Sequence, residues 1–203
     1  MDTVVTDYGT LVGVTGYDTY FDGCVKACIV DRENEIETEY GRFVPQYSVV
    51  EPGMNRMKKR RSSVAFHDNG VVKSIALEKQ TKVMTAIGEF PVELITFYTS
   101  GKLNRIFPLN GQINGYWSEE DEAGLCETYK FTFPLGSFQA KIIGIRFYES
   151  GKVKSITLWP GEIISVMTPK GSLKVKSGIS FYEDGSIKSV EPAVKTLVDT
   201  PIG

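Results

Sequence analysis

The residues of this 203-residue chain that could do chemistry lie in two charged stretches of opposite sign. In the acidic stretch, Ser118 is followed by four consecutive carboxylates and preceded by an aromatic pair. Paired carboxylates hydrolyse glycosides when they are held about 5 to 10 Å apart. Four acids in succession do not by themselves form such a pair, so a hydrolase or glycan-binding site remains an alternative. The candidate residues for this site, and equally for a docking site that binds a partner, are Tyr116, Trp117, Glu119, Glu120, Asp121 and Glu122.

The basic stretch places five cations within residues 56–61: Arg56, Lys58, Lys59, Arg60 and Arg61. Such a run is typical of a segment that contacts anionic lipid, a nucleic-acid backbone or an acidic protein face, and equally of a solvated loop. Over the whole chain, 23 basic residues stand against 25 acidic ones, which disfavours nucleic-acid binding by the whole surface. The two stretches are expected to pair with each other, within one chain or between two.

Other reactive residue types are scarce, since the chain has one histidine and three cysteines. Metal or acid–base chemistry would therefore have to depend on carboxylates, and no cofactor is expected. An odd number of cysteines without a zinc-type pair, behind a polar N-terminus without a secretory pattern, favours a reducing cytoplasm. No apolar run approaches the roughly 18 residues of a membrane-spanning helix.

The charged stretches interrupt a regular repeat that is centred on glycines. One phrase reads FYEDGSIKSV around Gly185, and earlier copies are centred on Gly23, Gly70, Gly101 and Gly151. A second phrase reads MTPKGSL around Gly171, and its earlier copies are centred on Gly9, Gly41, Gly88 and Gly136. Near both ends of the chain these glycines are spaced by 14 and then 18 residues, which gives a period of 32. The spacing holds for Gly9, Gly23 and Gly41, and again for Gly171, Gly185 and Gly203. A fixed period of this length indicates repeat architecture.

The segments between these glycines are rich in β-branched and aromatic residues, and glycine supplies the positive φ that closes a hairpin. The sequence therefore predicts an all-β fold in one domain, residues 1–203. Five tandem hairpin repeats would form an open, twisted antiparallel meander, and a five-bladed β-propeller is the alternative. The predicted repeats are residues 4–35, 36–82, 83–130, 131–165 and 166–203, with insertions at about 49–62 and 112–128. The N-cap pattern at Ser118 predicts one short helix, residues 119–127.

Stacked repeats align equivalent positions in columns, and adjacent strand residues face opposite sides. The sequence predicts a buried column of Phe66, Phe97, Phe147 and Phe181. It places Tyr20, His67, Tyr98, Tyr148 and Tyr182 on the other face, beside Lys26, Lys73, Lys154 and Lys188. Cross-strand packing is one interpretation of these columns. The other is a Tyr/Lys strip, including Tyr98, Tyr148 and Tyr182, that binds an extended partner or an anionic surface. His67 occupies a tyrosine position, which favours a structural role.

The FYxxGxLKS pattern of these phrases resembles the MORN-variant repeat, and the whole chain is similar to a group of bacterial repeat proteins. It departs from the MORN pattern in its longer period and its two insertions. The resemblance implies a non-enzymatic module for protein or lipid contacts, and some variants are associated with toxin–antitoxin modules. An unknown protein partner is the favoured hypothesis, with self-association through terminal edge strands or through the oppositely charged insertions also considered. Peripheral binding of anionic lipid or nucleic acid by the basic insertion is the alternative.

Overall fold

The structure is a computed structural model that describes residues 3–49, 56–58, 61–133, 136–168 and 171–194. Within these ranges the chain forms antiparallel strands and one short helix, which confirms the all-β prediction. The strands of the first half are β1 (Thr3–Thr6), β2 (Gly9–Val12), β3 (Val14–Thr19), β4 (Val25–Val30), β5 (Ile36–Thr38), β6 (Gly41–Phe43), β7 (Val64–Phe66), β8 (Val72–Thr85) and β9 (Gly88–Phe97). The remaining elements are β10 (Leu103–Phe107), α1 (Glu119–Leu125), β11 (Tyr129–Phe133), β12 (Gly136–Ala140), β13 (Ile142–Phe147), β14 (Val153–Leu158), β15 (Ile163–Thr168), β16 (Gly171–Phe181) and β17 (Ile187–Pro192). No helix in the described ranges is long and apolar enough to span a membrane.

The hairpins of the FY phrase join into one large sheet. Its order is β15-β16-β14-β13-β10-β9-β8-β7-β4-β3, and β17 also pairs with β16. Successive hairpins are therefore neighbours in the sheet, as expected for a meander. Among the described strands, β3 at one end does not pair with β15 or β17 at the other, so the sheet is open. The open array is confirmed, and the closed propeller does not describe this fold.

The hairpins of the second phrase stand apart from the large sheet or extend from it. Three of them, β1–β2, β5–β6 and β11–β12, are separate two-stranded sheets, whereas the turns at Gly88 and Gly171 lie at the far ends of long strands. In the first copy, the Thr6 hydroxyl donates to the carbonyl of Gly9 at 2.8 Å and accepts from the amide of Tyr8 at 3.1 Å. Thr38 and Thr85 repeat both contacts. This shared turn chemistry explains why the phrase recurs.

Two of the separate hairpins, β1–β2 and β5–β6, pack on the large sheet with an offset of one repeat. The hydroxyl of Tyr8, in the first repeat, accepts from the amide of Val72 in the second at 3.1 Å. The Tyr8 ring lies 6.3 Å from that of Phe66. Tyr40, in the second repeat, contacts the amide of Leu103 in the third in the same way at 3.0 Å. Each of these hairpins therefore covers the sheet of the following repeat.

The core lies between the two sets of hairpins, and the predicted phenylalanine column is confirmed there. Phe66, Phe97, Phe147 and Phe181 each expose at most 2% of their surface. Isoleucines two residues before three of these phenylalanines, Ile95, Ile145 and Ile179, are equally buried. This period of two places one face of every strand in the core.

In the first four copies of the FY phrase, a hydrogen bond links the aromatic residue that precedes the turn to the next repeat. The side chain donates to the carbonyl of the following phenylalanine. These inter-repeat bonds run from Tyr20 to Phe66 at 2.9 Å, His67 to Phe97 at 3.0 Å, Tyr98 to Phe147 at 2.7 Å and Tyr148 to Phe181 at 2.8 Å. The imidazole of His67 thus takes the place of a phenol, which agrees with the predicted structural role.

Tyr148→Phe is expected to lower the free energy of unfolding by about 1 kcal/mol, because the Phe181 carbonyl loses its donor. Urea denaturation monitored by circular dichroism measures the change. Tyr116→Phe is the matched control, since that phenol is 88% exposed, and we expect it to leave stability unchanged. Equal effects of the two substitutions would show that the inter-repeat bond adds no stability.

Candidate functional site

The two insertions meet at the short helix. Helix α1 begins at Glu119, as predicted, and ends at Leu125, two residues before the predicted end. The Ser118 hydroxyl accepts from the amide of Asp121 at 3.1 Å, and the Asp121 carboxylate accepts from the amide of Ser118 at 2.8 Å. This capping box fixes the start of the helix and turns Glu122 toward the protein interior.

Glu122 forms a buried cluster with one arginine and a second carboxylate. Arg56 Nη2 donates to Glu122 Oε1 at 2.6 Å, and Arg56 Nε donates to Glu122 Oε2 at 3.0 Å. The same guanidinium contacts Glu93 of β9 at 2.8 and 2.9 Å. Arg56 is 2% exposed and Glu122 is fully buried. We call Arg56, Glu93 and Glu122 the junction cluster, because it joins both insertions to the long strand β9.

Further donors complete the junction cluster. Trp117 Nε1 donates to Glu122 Oε2 at 2.6 Å, and the amide of Gln112 donates to Glu122 Oε1 at 3.3 Å. The amide of Asn110 donates to Glu93 Oε2 at 2.8 Å. Buried charges persist when they are paired and hydrogen-bonded in this manner. The hydrogen bond from the Trp117 indole to Glu122 therefore helps to fix the position of α1.

The electrostatics of the cluster follow from burial and pairing. Burial alone would raise the pKa of Glu122, but the hydrogen bonds and charge of Arg56 outweigh burial and leave that pKa below its ordinary value. Burial acts to lower the pKa of Arg56. The hydrogen bonds and charges of Glu93 and Glu122 outweigh burial, so this pKa lies above its ordinary value. Arg56 and Glu122 are thus held in their charged forms at neutral pH.

A second ionic contact fixes the first insertion to β8. The carboxylate of Glu78 accepts from the amides of Tyr47 and Ser48 at 3.0 and 3.1 Å. Lys58 Nζ lies 3.1 Å from Glu78 Oε1 and also donates to the Glu78 carbonyl. Glu78 lies where β8 shifts register against β9, between Ala76 and Thr81. The interruption of the ladder therefore supplies the anchoring point for the insertion.

A cleft of about 700 Å³, lined by both polar and apolar residues, lies between β8 and the two insertions. Its described lining includes Tyr47, Arg56, Lys58, Glu78, Gln80, Glu93, Asn110 and Gln112. General acid catalysis needs a carboxyl group with a raised pKa, and glycoside hydrolysis needs two free carboxyl groups. The described carboxylates of this cleft are instead tied to cations and amides. No group of three or more potential metal ligands occurs among the described residues. The ion pairs and hydrogen bonds of the junction cluster hold the two insertions together.

The structure separates the predicted acidic and aromatic residues by role. Trp117 and Glu122 turn inward to the junction cluster, and Asp121 caps the helix. Glu119 and Glu120 are exposed beside them, and Tyr116 is 88% exposed. The aromatic pair is therefore divided between an internal anchor and a surface residue.

The predicted basic residues are also divided. Arg56 and Lys58 are nearly buried in ion pairs, so they do not present their charge to a partner. Arg61 is exposed and donates to Asn110 Oδ1 at 3.1 Å. Lys59 and Arg60 lie outside the described residues. The expected pairing of the oppositely charged insertions occurs within one chain, through Arg56 and Glu122.

The Tyr/Lys strip is largely engaged in the architecture. Tyr98 and Tyr148 are half-buried and use their hydroxyls in inter-repeat bonds. Tyr182 is 51% exposed. Cation–π contacts join Lys26 to Tyr20, Lys154 to Tyr148 and Lys188 to Tyr182, with ammonium-to-ring distances of 5.2 to 5.8 Å. These contacts fit the packing interpretation of the columns.

Sequence reasoning did not identify Glu93, Glu78, Asn110 or Gln112 as parts of the site. A signal for Glu93 was present, because the position eight residues before the FY-phrase glycine holds Thr15, Ser62, Ile143 or Ser177 in the other repeats. A single carboxylate at that position in a strand indicates a specific cationic partner. The partner is 37 residues away, and no local pattern specifies it.

Comparisons of the chain with protein-family models, with curated proteins and with solved structures give no match.

Proposed function

We propose that this chain is a non-enzymatic protein-binding module that acts in the cytoplasm, with a MORN-like hairpin array as scaffold and the joined insertions as recognition surface. The observation that carries the proposal is the exposure of Tyr116 on a rigid support. Large aromatic side chains on fixed backbone are the commonest interaction hot spots, because they contribute much area with little loss of side-chain freedom.

The loop that carries Tyr116 is held at both ends. Asn114 Oδ1 accepts from the amides of Tyr116 and Trp117 at 2.8 and 3.0 Å, and the amide of Asn114 donates to the Trp117 carbonyl at 2.9 Å. The indole of the next residue, Trp117, donates a hydrogen bond to the buried carboxylate of Glu122. Tyr116 is therefore presented in a preorganised loop, which lowers the entropic cost of binding.

The rim of this surface indicates the partner's charge. Glu119 and Glu120 are exposed on the first turn of α1, next to Tyr116 in the chain. Exposed carboxylates favour a partner with a basic surface and mainly accelerate association. Self-association through edge strands remains a separate hypothesis, which the oligomeric mass in solution tests. Pairing of opposite insertions between two chains is less favoured, because Arg56 and Glu122 already pair within one chain.

A photo-crosslinking amino acid in place of Tyr116 tests the proposal in cells. The captured protein is identified by mass spectrometry, purified and titrated against the variants. We expect Tyr116→Ala to weaken binding by roughly 30-fold or more. Tyr17→Ala is the matched control, because Tyr17 is an aromatic residue 47% exposed on β3, and it should leave the affinity unchanged. Equal affinities of wild type and Tyr116→Ala would refute the proposal.

A further inference from the structure

Two arginines stand side by side on the outward face of the large sheet. Arg105 of β10 and Arg146 of β13 are directly opposite each other in the antiparallel ladder. Within the described ranges, neither guanidinium forms a hydrogen bond or an ion pair. Like charges at directly opposed positions destabilise a sheet. Burial and the charge of Arg146 both lower the pKa of Arg105. As far as the described residues extend, the pair is thus a cationic site without an ion-pair partner, and it lies within the large sheet.

An apolar cleft of about 390 Å³ adjoins this pair. It lies where the second insertion and the turn at Trp159 rise above the sheet, and its walls include Leu94, Phe107, Ile113, Ile143 and Trp159. This volume lies within the range of small-molecule sites. Arg61 and Glu119 also contribute to its lining, one charge of each sign.

The cleft and the arginine pair share Phe107. The guanidinium of Arg105 lies 4.3 Å from the centre of the Phe107 ring. Gly144 keeps this region open, because a Cβ atom there would lie 2.7 Å from the Ile106 carbonyl oxygen and 3.4 Å from Arg105 Nε. The apolar space and the cationic edge are therefore parts of one surface.

A buried donor without a partner lies in the same cleft. Asn110 is 5% exposed, and its side-chain Nδ2 donates no hydrogen bond among the described residues. Its Oδ1 is held by Arg61 at 3.1 Å. An unsatisfied buried donor is costly, and satisfying it would take an acceptor on the ligand besides an anionic group bound at the arginine pair.

We propose that this cleft binds a small amphipathic carboxylate, with the anionic head on Arg105 and Arg146 and the apolar chain against Phe107, Ile143 and Trp159. The planar fork of arginine matches a carboxylate in shape and charge. A bound anion would also compensate the repulsion between the two guanidinium groups. Tyr116 does not line the cleft, although Glu119 belongs to both surfaces. The inference does not depend on the proposed protein partner.

Titration with decanoate, kept below its micelle concentration, tests the inference by calorimetry and by amide NMR. We expect saturable binding that shifts the amide resonances of Phe107 and Gly144. Decanol, which has the same chain without the charge, should bind roughly tenfold more weakly. The absence of saturable decanoate binding, or equal binding of decanol, overturns the inference.

Two variants locate the anionic head. Arg146→Gln alone, and Arg146→Gln combined with Arg105→Gln, should each weaken decanoate binding by roughly tenfold or more. Lys26→Gln, which removes a cation from another repeat of the same sheet, should change it less than about twofold. The unliganded Arg146→Gln protein should not melt below wild type, since it lacks the like-charge repulsion. Retained affinity in Arg146→Gln, or a loss accompanied by a lower melting temperature, overturns the inference.

Discussion

Replacing Arg56 by methionine is expected to lower the free energy of unfolding by about 3–5 kcal/mol, the range for breaking a buried charge pair. The substitution keeps an unbranched apolar stem but leaves Glu93 and Glu122 without their shared cation. Two carboxylates would then be buried close together, where desolvation and mutual repulsion both act against their charged forms. Urea denaturation at neutral pH measures the loss.

The pH dependence separates this cause from a simple loss of packing. In the wild type the pKa of Glu122 is lowered, so its contribution to stability is present above the ordinary glutamate pKa and is lost as pH falls through the lowered value. Without Arg56, burial remains as the main influence and raises that pKa. The variant should therefore regain stability between neutral pH and about pH 5, where the wild type does not.

Controls for Arg56→Met come from the same chain. Adding Glu93→Gln and Glu122→Gln should recover much of the lost stability, because the unpaired charges are removed. Lys102→Met breaks the exposed pair between Lys102 and Glu39, whose atoms are 3.0 Å apart, and we expect little effect. A variant whose stability shows the same pH profile as wild type would contradict the assigned role of Arg56.

The second large effect is expected for Phe147→Ala, which should lower the free energy of unfolding by about 3–5 kcal/mol. Phe147 is 1% exposed in the centre of the phenylalanine column. Its removal leaves a cavity between the two sets of hairpins, and rigid turns on both sides limit how far the chain can collapse into it. Thermal and urea denaturation of the purified variant both measure the loss.

Phe21→Ala is the matched control for Phe147→Ala. Phe21 lies at the tip of the first FY-phrase turn and is fully exposed, so its removal should change stability by no more than about 0.5 kcal/mol. The same amino acid thus has opposite importance at two different positions of the repeat unit, in its first and fourth copies. Comparable losses in the two variants would rule out a special contribution of the buried column.

The repeat predicted most of the fold because its information is local. A glycine at the turn of FYESGKVKSI takes a positive φ of 83°, and Phe147 four residues earlier is turned into the core by strand alternation. The helix at Glu119 was predicted from the serine cap before it. The sequence did not reveal that the second-phrase hairpins cover the next repeat, because that offset depends on contacts such as Tyr8 with Val72.

The candidate site was only partly predictable for the same reason. The sequence identified Arg56 and Glu122 as members of oppositely charged insertions, and the structure joins them across 66 positions. It did not show that both side chains are buried, because a charge run looks the same whether its members face water or a partner. The apolar cleft depends on Leu94 and Phe107 of the third repeat and on Trp159 of the fourth, and no single segment indicates it.

The one-repeat offset between the two sets of hairpins has a consequence for how such a chain can change its length. Tyr8 and Tyr40 make the same contact with successive repeats, so these two junctions are chemically equivalent. The next copy of the second phrase has Ile87 at this position, which has no hydroxyl to repeat the contact. A whole period added between these two junctions would present each tyrosine with the same kind of partner, a backbone amide beside a buried phenylalanine. This part of the chain can therefore change its length by one repeat while its hairpins still cover the core.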